Sequence, residues 1–161
     1  MAKVDYFLKL DGIEGGSIDD KHKGELEILS FSWGATNSGT FSEGPGGGAG
    51  KAAFQDFHIT SHIDKSYPKL KLAVSSGQHI AKATFTARRA GTQQQEYLKI
   101  EFSELLVSSI QLGGGGGEIV PTMQISLNFA KFEVEHKEQK ADGTLAGSVK
   151  AGWHLPLNKK V

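Results

Sequence analysis

A period of two runs through this chain in short apolar stretches, and it constrains the fold more than any other feature, because it marks strands with one buried face. In VDYFLKL, Val4, Tyr6, Leu8 and Leu10 share a side. In EYLKIEF, Leu98, Ile100 and Phe102 stand opposite Tyr97, Lys99 and Glu101. AAFQDFHITSHI aligns Ala53, Phe57, Ile59 and Ile63, and ATFTARRA sets Ala83, Phe85 and Ala87 against Thr84, Thr86 and Arg88. MQISLNFAKFEVEHK begins on Met123, Ile125, Leu127 and Phe129, then slips one residue onto Phe132 and Val134. That slip predicts a β-bulge or bend at Ala130–Lys131. Further strands are predicted over Glu25–Thr36, Leu106–Leu112 and Gly152–Leu157, about eight in all.

One segment departs from the pattern. DKSYPKLKLAVSSGQ offers Ser66 as N-cap, Pro68 in the first turn and Gly77 as a stop, which predicts a short helix over Tyr67–Ser75. Many strands and one helix give a mainly β chain, an antiparallel barrel or sandwich. Its 161 residues fit a single domain over 1–161.

Eighteen Lys and Arg balance eighteen Asp and Glu. Zero formal charge removes the long-range attraction on which sequence-independent binding to nucleic acid or anionic membranes depends, so the expected partners are proteins. There is no cysteine, which excludes disulfides and thiolate metal sites and suits a reducing compartment. The start, MAKVDYFLKL, carries Asp5 and Lys9 within its apolar run and does not read as a secretory signal. No run approaches the ~20 apolar residues that cross a bilayer.

Ten of the 21 glycines fall in Gly44–Gly50 and Gly113–Gly117. GPGGGAGKAAF, Gly44 to Phe54, invites comparison with a phosphate loop. In that pattern the first glycine would be Pro45, and the hydroxyl that holds magnesium would be Ala52. A strand follows where a helix N-terminus is needed, so the stretch reads as an extended loop. The Gly113–Gly117 cluster reads as a mobile hairpin connection. His58 and His62 have a zinc-like spacing, but on a strand four residues span about 13 Å, which makes both surface residues. DGIEGGSIDDKH lacks oxygen ligands at Ile13, Gly15 and His22 and reads as an acidic loop, with Asp19 and Asp20 as solvated turn residues. No cofactor, metal or catalytic site is assigned. A small β-barrel hydrolase would need a nucleophile and base that no motif displays.

Several faces opposite the apolar ones are small, polar and uncharged: Ser30 and Ser32, Thr84 and Thr86, and Gln124, Ser126 and Asn128. Solvated faces ordinarily carry Lys and Glu. These faces are a quiet surface, or they meet another subunit or line a cavity.

The chain resembles the hemolysin-coregulated protein (Hcp) family, the tube subunits of bacterial type VI secretion systems. The resemblance is carried by YFLKLDGIEGGSIDDKHKGELEILSFSWG, GKAAFQDFHITSHIDKSYPKL, SSGQHI, ARRAGTQQQEYLKIEFSELLVSSI, LNFAKFEVEHKEQKADGTL and the terminal GWHL, and it spans essentially the whole chain. It implies a compact antiparallel β-barrel of two packed sheets with one short helix on its side, similar to phage tail tubes. It implies hexameric rings that stack into a tube inside a contractile sheath, expelled with a VgrG/PAAR spike. It also implies effector proteins carried in the lumen, cytoplasmic residence before firing and export without a signal peptide, nucleic acid binding or membrane insertion. A phage-type tube subunit without cargo is the nearest alternative. By this resemblance the loop Glu43, Gly44, Pro45, Gly46, Gly47, Gly48, Ala49, Gly50 and Lys51 makes stacking contacts, its glycines giving an irregular path and close backbone approach. Ser30 and Ser32 are expected on the lumen and cargo face. Pro156, in GWHLPLNKKV, departs from the commoner family pattern at the last strand.

Overall fold

The computed structural model describes residues 4–39, 49–90 and 94–161. Among them are eleven strands and one helix. In chain order these are β1 (Val4–Leu10), β2 (Leu26–Ile28), β3 (Ser30–Ser32), β4 (Ala35–Gly39), β5 (Ala49–Phe54) and β6 (Phe57–His62), then α1 (Tyr67–Ser76), β7 (Ile80–Arg89), β8 (Glu96–Gly113), β9 (Thr122–Gln139), β10 (Leu145–His154) and β11 (Lys159–Lys160).

All pairings are antiparallel. Nine strands form one sheet, with β2, β1, β7, β8, β9, β10 and β11 side by side and β6 and β3 branching from β9. Strands β4 and β5 form a separate ribbon. The mainly β class with one short helix stands, but the sheets are not closed into a barrel. Where closure was expected, the chain itself steps across: β2 pairs with β1, β3 pairs with β6, and the Leu29 amide between them donates to the Thr60 carbonyl at 2.7 Å.

That step explains why the predicted single strand Glu25–Thr36 is three strands: its hydrogen-bonding partner changes at Leu29. The opposite error occurs at EYLKIEF and Leu106–Leu112, which are one continuous strand, β8. The last long strand begins at Leu145 and stops at His154, so Pro156 falls in the turn before β11 and interrupts no ladder.

The slip in β9 marks a change of partners. Up to Leu127 the strand pairs with β6, and from Lys131 it pairs with β10. On β8 the facing residue Glu104 has φ 54°, in the left-handed region, and lies outside the paired register. The extra residue of the ladder sits lower, between Val107 and Ser109. The predicted place is therefore a change of partners, and the ladder's bulge is on the neighbouring strand.

Alternation does what it predicts inside. Leu8, Phe57, Phe85, Phe102 and Leu127 are 0% exposed. Burying each such side chain stabilises the fold by about 1.5–3 kcal/mol. Trp33 joins this core from β3's end, its ring 5.3 Å from Phe102 and 5.0 Å from Phe132, and its indole N–H donates to the Gln55 carbonyl at 2.9 Å. Helix α1 packs on β8 through the buried Leu70 and Ala73 and ends at Gly77, φ 66°. Ser66 occupies the N-cap, but its hydroxyl bonds Asp64 and makes no cap bond.

Candidate interaction face

Strand register brings the sequence-predicted polar residues into rows. Ser30 pairs with Thr60, Thr60 with Gln124, and Gln124 with Gln111. The next row is Ser32, His58, Ser126 and Ser109. These eight side chains cover one face of β3, β6, β9 and the second half of β8, and none is a carboxylate or an ammonium. Ser30, Ser32, His58, Ser109, Gln111 and Gln124 are exposed. Phe31 and Trp33 turn the other way into the core, as alternation requires.

The bulge tightens this face at one end. Ser108 and Ser109 both bond the hydroxyl of buried Ser126, and Ser108 Oγ donates to Asp56 at 2.6 Å. Asn128 Nδ2 donates to the second Asp56 oxygen at 2.8 Å. The Asp56 carboxylate at the rim is thus already engaged. Sequence reasoning named Ser30, Ser32, Gln124 and Ser126 but missed His58, Thr60, Ser109 and Gln111 as members of the same face. The alternation of Ser109 and Gln111 with Ile110 and Leu112 carried that signal.

The face is bordered by strand edges that lack a partner. Among the described residues, β3 pairs only with β6, and Leu106–Gly113 of β8 pairs only with β9, because the β7 ladder ends at Leu105. Unpaired N–H and C=O groups along an edge are a template for another strand.

The ribbon rises from the same region. β4 is exposed along its whole length, and Gly39 pairs with Ala49, so residues 40–48 join the two ribbon strands. Of the predicted contact loop, Glu43, Gly44, Pro45, Gly46, Gly47 and Gly48 lie outside the described residues; Ala49 and Gly50 belong to β5, and Lys51 is exposed.

Thr84 and Thr86 do not join this face. Thr86 and Arg88 are 4% and 2% exposed, because the Asp11–Glu25 segment lies as a strap over the outer side of β1 and β7. Asp19 is therefore no solvated turn residue. It binds the Arg88 guanidinium, which also reaches Asp5 at 3.4 Å and lies 4.8 Å from the centre of the Phe7 ring. The hydrogen bond from Arg88, opposed by burial, holds the Asp19 carboxyl at about 2 against an ordinary 3.8. His22, on the same strap, contacts Glu25 at 2.9 Å and Glu96 at 2.8 Å and stacks on Phe7 at 4.3 Å. Gly15 is required here: a Cβ at this position would lie 2.6 Å from the Glu25 carbonyl oxygen.

His58 and His62 are both exposed on β6, as their strand spacing predicts. Among the described residues no helix is long and apolar enough to cross a membrane.

Comparison with known proteins shows what the chain is similar to. Residues 7–136 match the family model described as the type VI secretion system effector Hcp. The chain is 46% identical over 157 residues to the protein hcp1 of Pseudomonas aeruginosa, covering 96% of this chain and 97% of that one. A solved structure of a type six secretion system protein superposes with a TM-score of 0.92 at 32% identity, covering 98% of this chain and 99% of that one. Hcp1 from Salmonella typhimurium gives 0.83 at 34% identity, covering 99% and 100%.

Proposed function

This chain belongs to the Hcp family of type VI secretion proteins, and we propose that its copies close into hexameric rings that stack as the secreted tube. The observation that carries this reading is the pair of free edges, β3 and Leu106–Gly113 of β8, on opposite borders of one polar face. A ring closes through heterologous contacts, two different patches meeting between neighbours. Addition of one copy's edge to the next supplies such a contact from backbone hydrogen bonds alone, with alternate side chains setting the fit. Closure in that manner turns the rows Ser30–Gln111 and Ser32–Ser109 toward a common interior. The six-fold number comes from the family.

Effector proteins are carried against that wall. Its hydroxyl, amide and imidazole groups offer hydrogen bonds without a fixed charge, which suits reversible holding of varied proteins. The ribbon and its Gly-rich loop, Glu43–Lys51, reach the adjoining ring. The tube travels with a VgrG/PAAR spike inside a contractile sheath, from cytoplasm to exterior, and the chain performs no catalysis.

The test is imaging with mass measurement at low and high protein concentration. Six-membered annuli that lengthen into filaments are expected. A monomer at every concentration would remove the reading.

A further inference from the structure

Two exposed features lie along the β8–β9 ladder, one at its Gly113–Thr122 end and one near its middle, at Leu105–Phe129. At one end Gly113 pairs with Thr122, and the connection beyond is held at its base, where the Ile63 amide donates to the Pro121 carbonyl at 3.0 Å. The Glu118 amide closes a turn onto the Gly115 carbonyl at 3.0 Å. This turn presents Ile119 with 101% of its surface in water, flanked by Val120 at 39% and Leu112 at 43%. An isoleucine on an anchored turn, fully hydrated, is an apolar knob without a seat.

Near the middle of the ladder lies a groove of about 470 Å³, lined by Phe54, Leu106, Phe129, Trp153 and Leu155. That is many times the ~30 Å³ share of one water in the liquid. The groove's own carboxylate, Glu104, is bound to His79. Lys51, exposed on β5, also borders it. The knob carries the opposite charge in the exposed Glu118 beside Ile119.

The rung Gly113–Thr122 and the rung Leu106–Asn128 are separated by about 20 Å of strand, at roughly 3.3 Å per residue. The knob therefore cannot fill the groove of its own copy. A copy whose knob enters a neighbour's groove still presents its own groove, and the neighbour still presents its own knob. Such a heterologous contact propagates.

We propose that Ile119 of one copy seats in the Phe54–Trp153 groove of the copy stacked on it, with Glu118 meeting Lys51. This rests on the stacking reading above and assigns the residues that hold one ring on the next. The seat is incomplete in a single copy: its apolar lining comes from one chain and its occupant from another.

The experiment compares wild type, Ile119→Asp, Glu118→Lys, Lys51→Glu and the Glu118→Lys/Lys51→Glu double variant. Ring mass is read by light scattering, and the concentration at which filaments appear is read by sedimentation and electron microscopy. Ile119→Asp is expected to keep the ring and raise that concentration by about 10-fold or more, from the loss of one buried aliphatic side chain per contact. Each charge reversal raises it, and the double variant returns to within about 3-fold of wild type, as a coupled pair does. The proposal is overturned if Ile119→Asp filaments form at the wild-type concentration, if that variant loses its rings, or if the double variant is no better than the two single effects combined. Wild-type protein that never forms filaments removes the stacking reading itself. Wild-type filaments indifferent to Ile119→Asp remove only this contact.

Discussion

Arg88→Met removes the charge that anchors the strap while keeping an apolar side chain on the Phe7 ring. In the wild type Arg88 is 3% exposed at its side chain and serves two carboxylates, Asp19 at 21% and Asp5 at 35% exposure. Losing it leaves both acids without their partner, though each reaches water, so the cost at pH 7 is about 2–4 kcal/mol, below the full ~3–5 for a buried pair. The pH dependence follows from Asp19, held at about 2 in the fold against an ordinary 3.8. A depressed carboxylate contributes stability that is fully present above its unfolded value and is lost as pH falls through the folded one. The shift corresponds to at most ~2.4 kcal/mol at about 1.36 kcal/mol per unit, which solvent screening reduces to about 1–2 kcal/mol. Urea unfolding followed by tryptophan fluorescence, at one fixed protein concentration from pH 7 to pH 2, measures both quantities. The gap between wild type and Arg88→Met is expected to narrow by about 1–2 kcal/mol between roughly pH 4 and pH 2. A gap that stays constant over that window, or a variant within about 0.5 kcal/mol of wild type at pH 7, would refute the reasoning.

Ser32→Glu places a charge in the exposed Ser32–His58–Ser126–Ser109 row, so rings are expected to form with unchanged thermal midpoint while cargo co-purification falls; a lost fold with cargo retained would mean the face is misassigned. Gly15→Ala drives a methyl to within 2.6 Å of the Glu25 carbonyl oxygen and is expected to destabilise by about 1–3 kcal/mol, read as a lowered urea midpoint. Shortening the Glu43–Lys51 loop is expected to leave single rings intact and stop their lengthening in electron micrographs, and undiminished filaments would remove the loop from stacking.

The fold was legible where neighbours along the chain decide it. Alternation placed Phe57, Phe85, Phe102 and Leu127 in the core, and Ser66, Pro68 and Gly77 bounded α1, because strand pleat and helix termini are local. What depends on distant partners was not legible. Leu29 shows no turn residue, yet the chain changes ladders there because β6 lies beside it. Arg88 and Asp19 stand 69 residues apart, so a half-buried ion pair looked like one exposed arginine and one loop acid. The interaction face was half legible: each strand's uncharged side was visible by period, whereas the joining of Ser32 to His58, Ser126 and Ser109 is a fact of register.

Side-by-side closure through the two free edges is the central claim, and the mass of the particle in dilute solution tests it most directly. Light scattering is predicted to report six times the 17.3 kDa chain, with ring-shaped particles in the same sample. A mass equal to one chain across the whole concentration range contradicts the account.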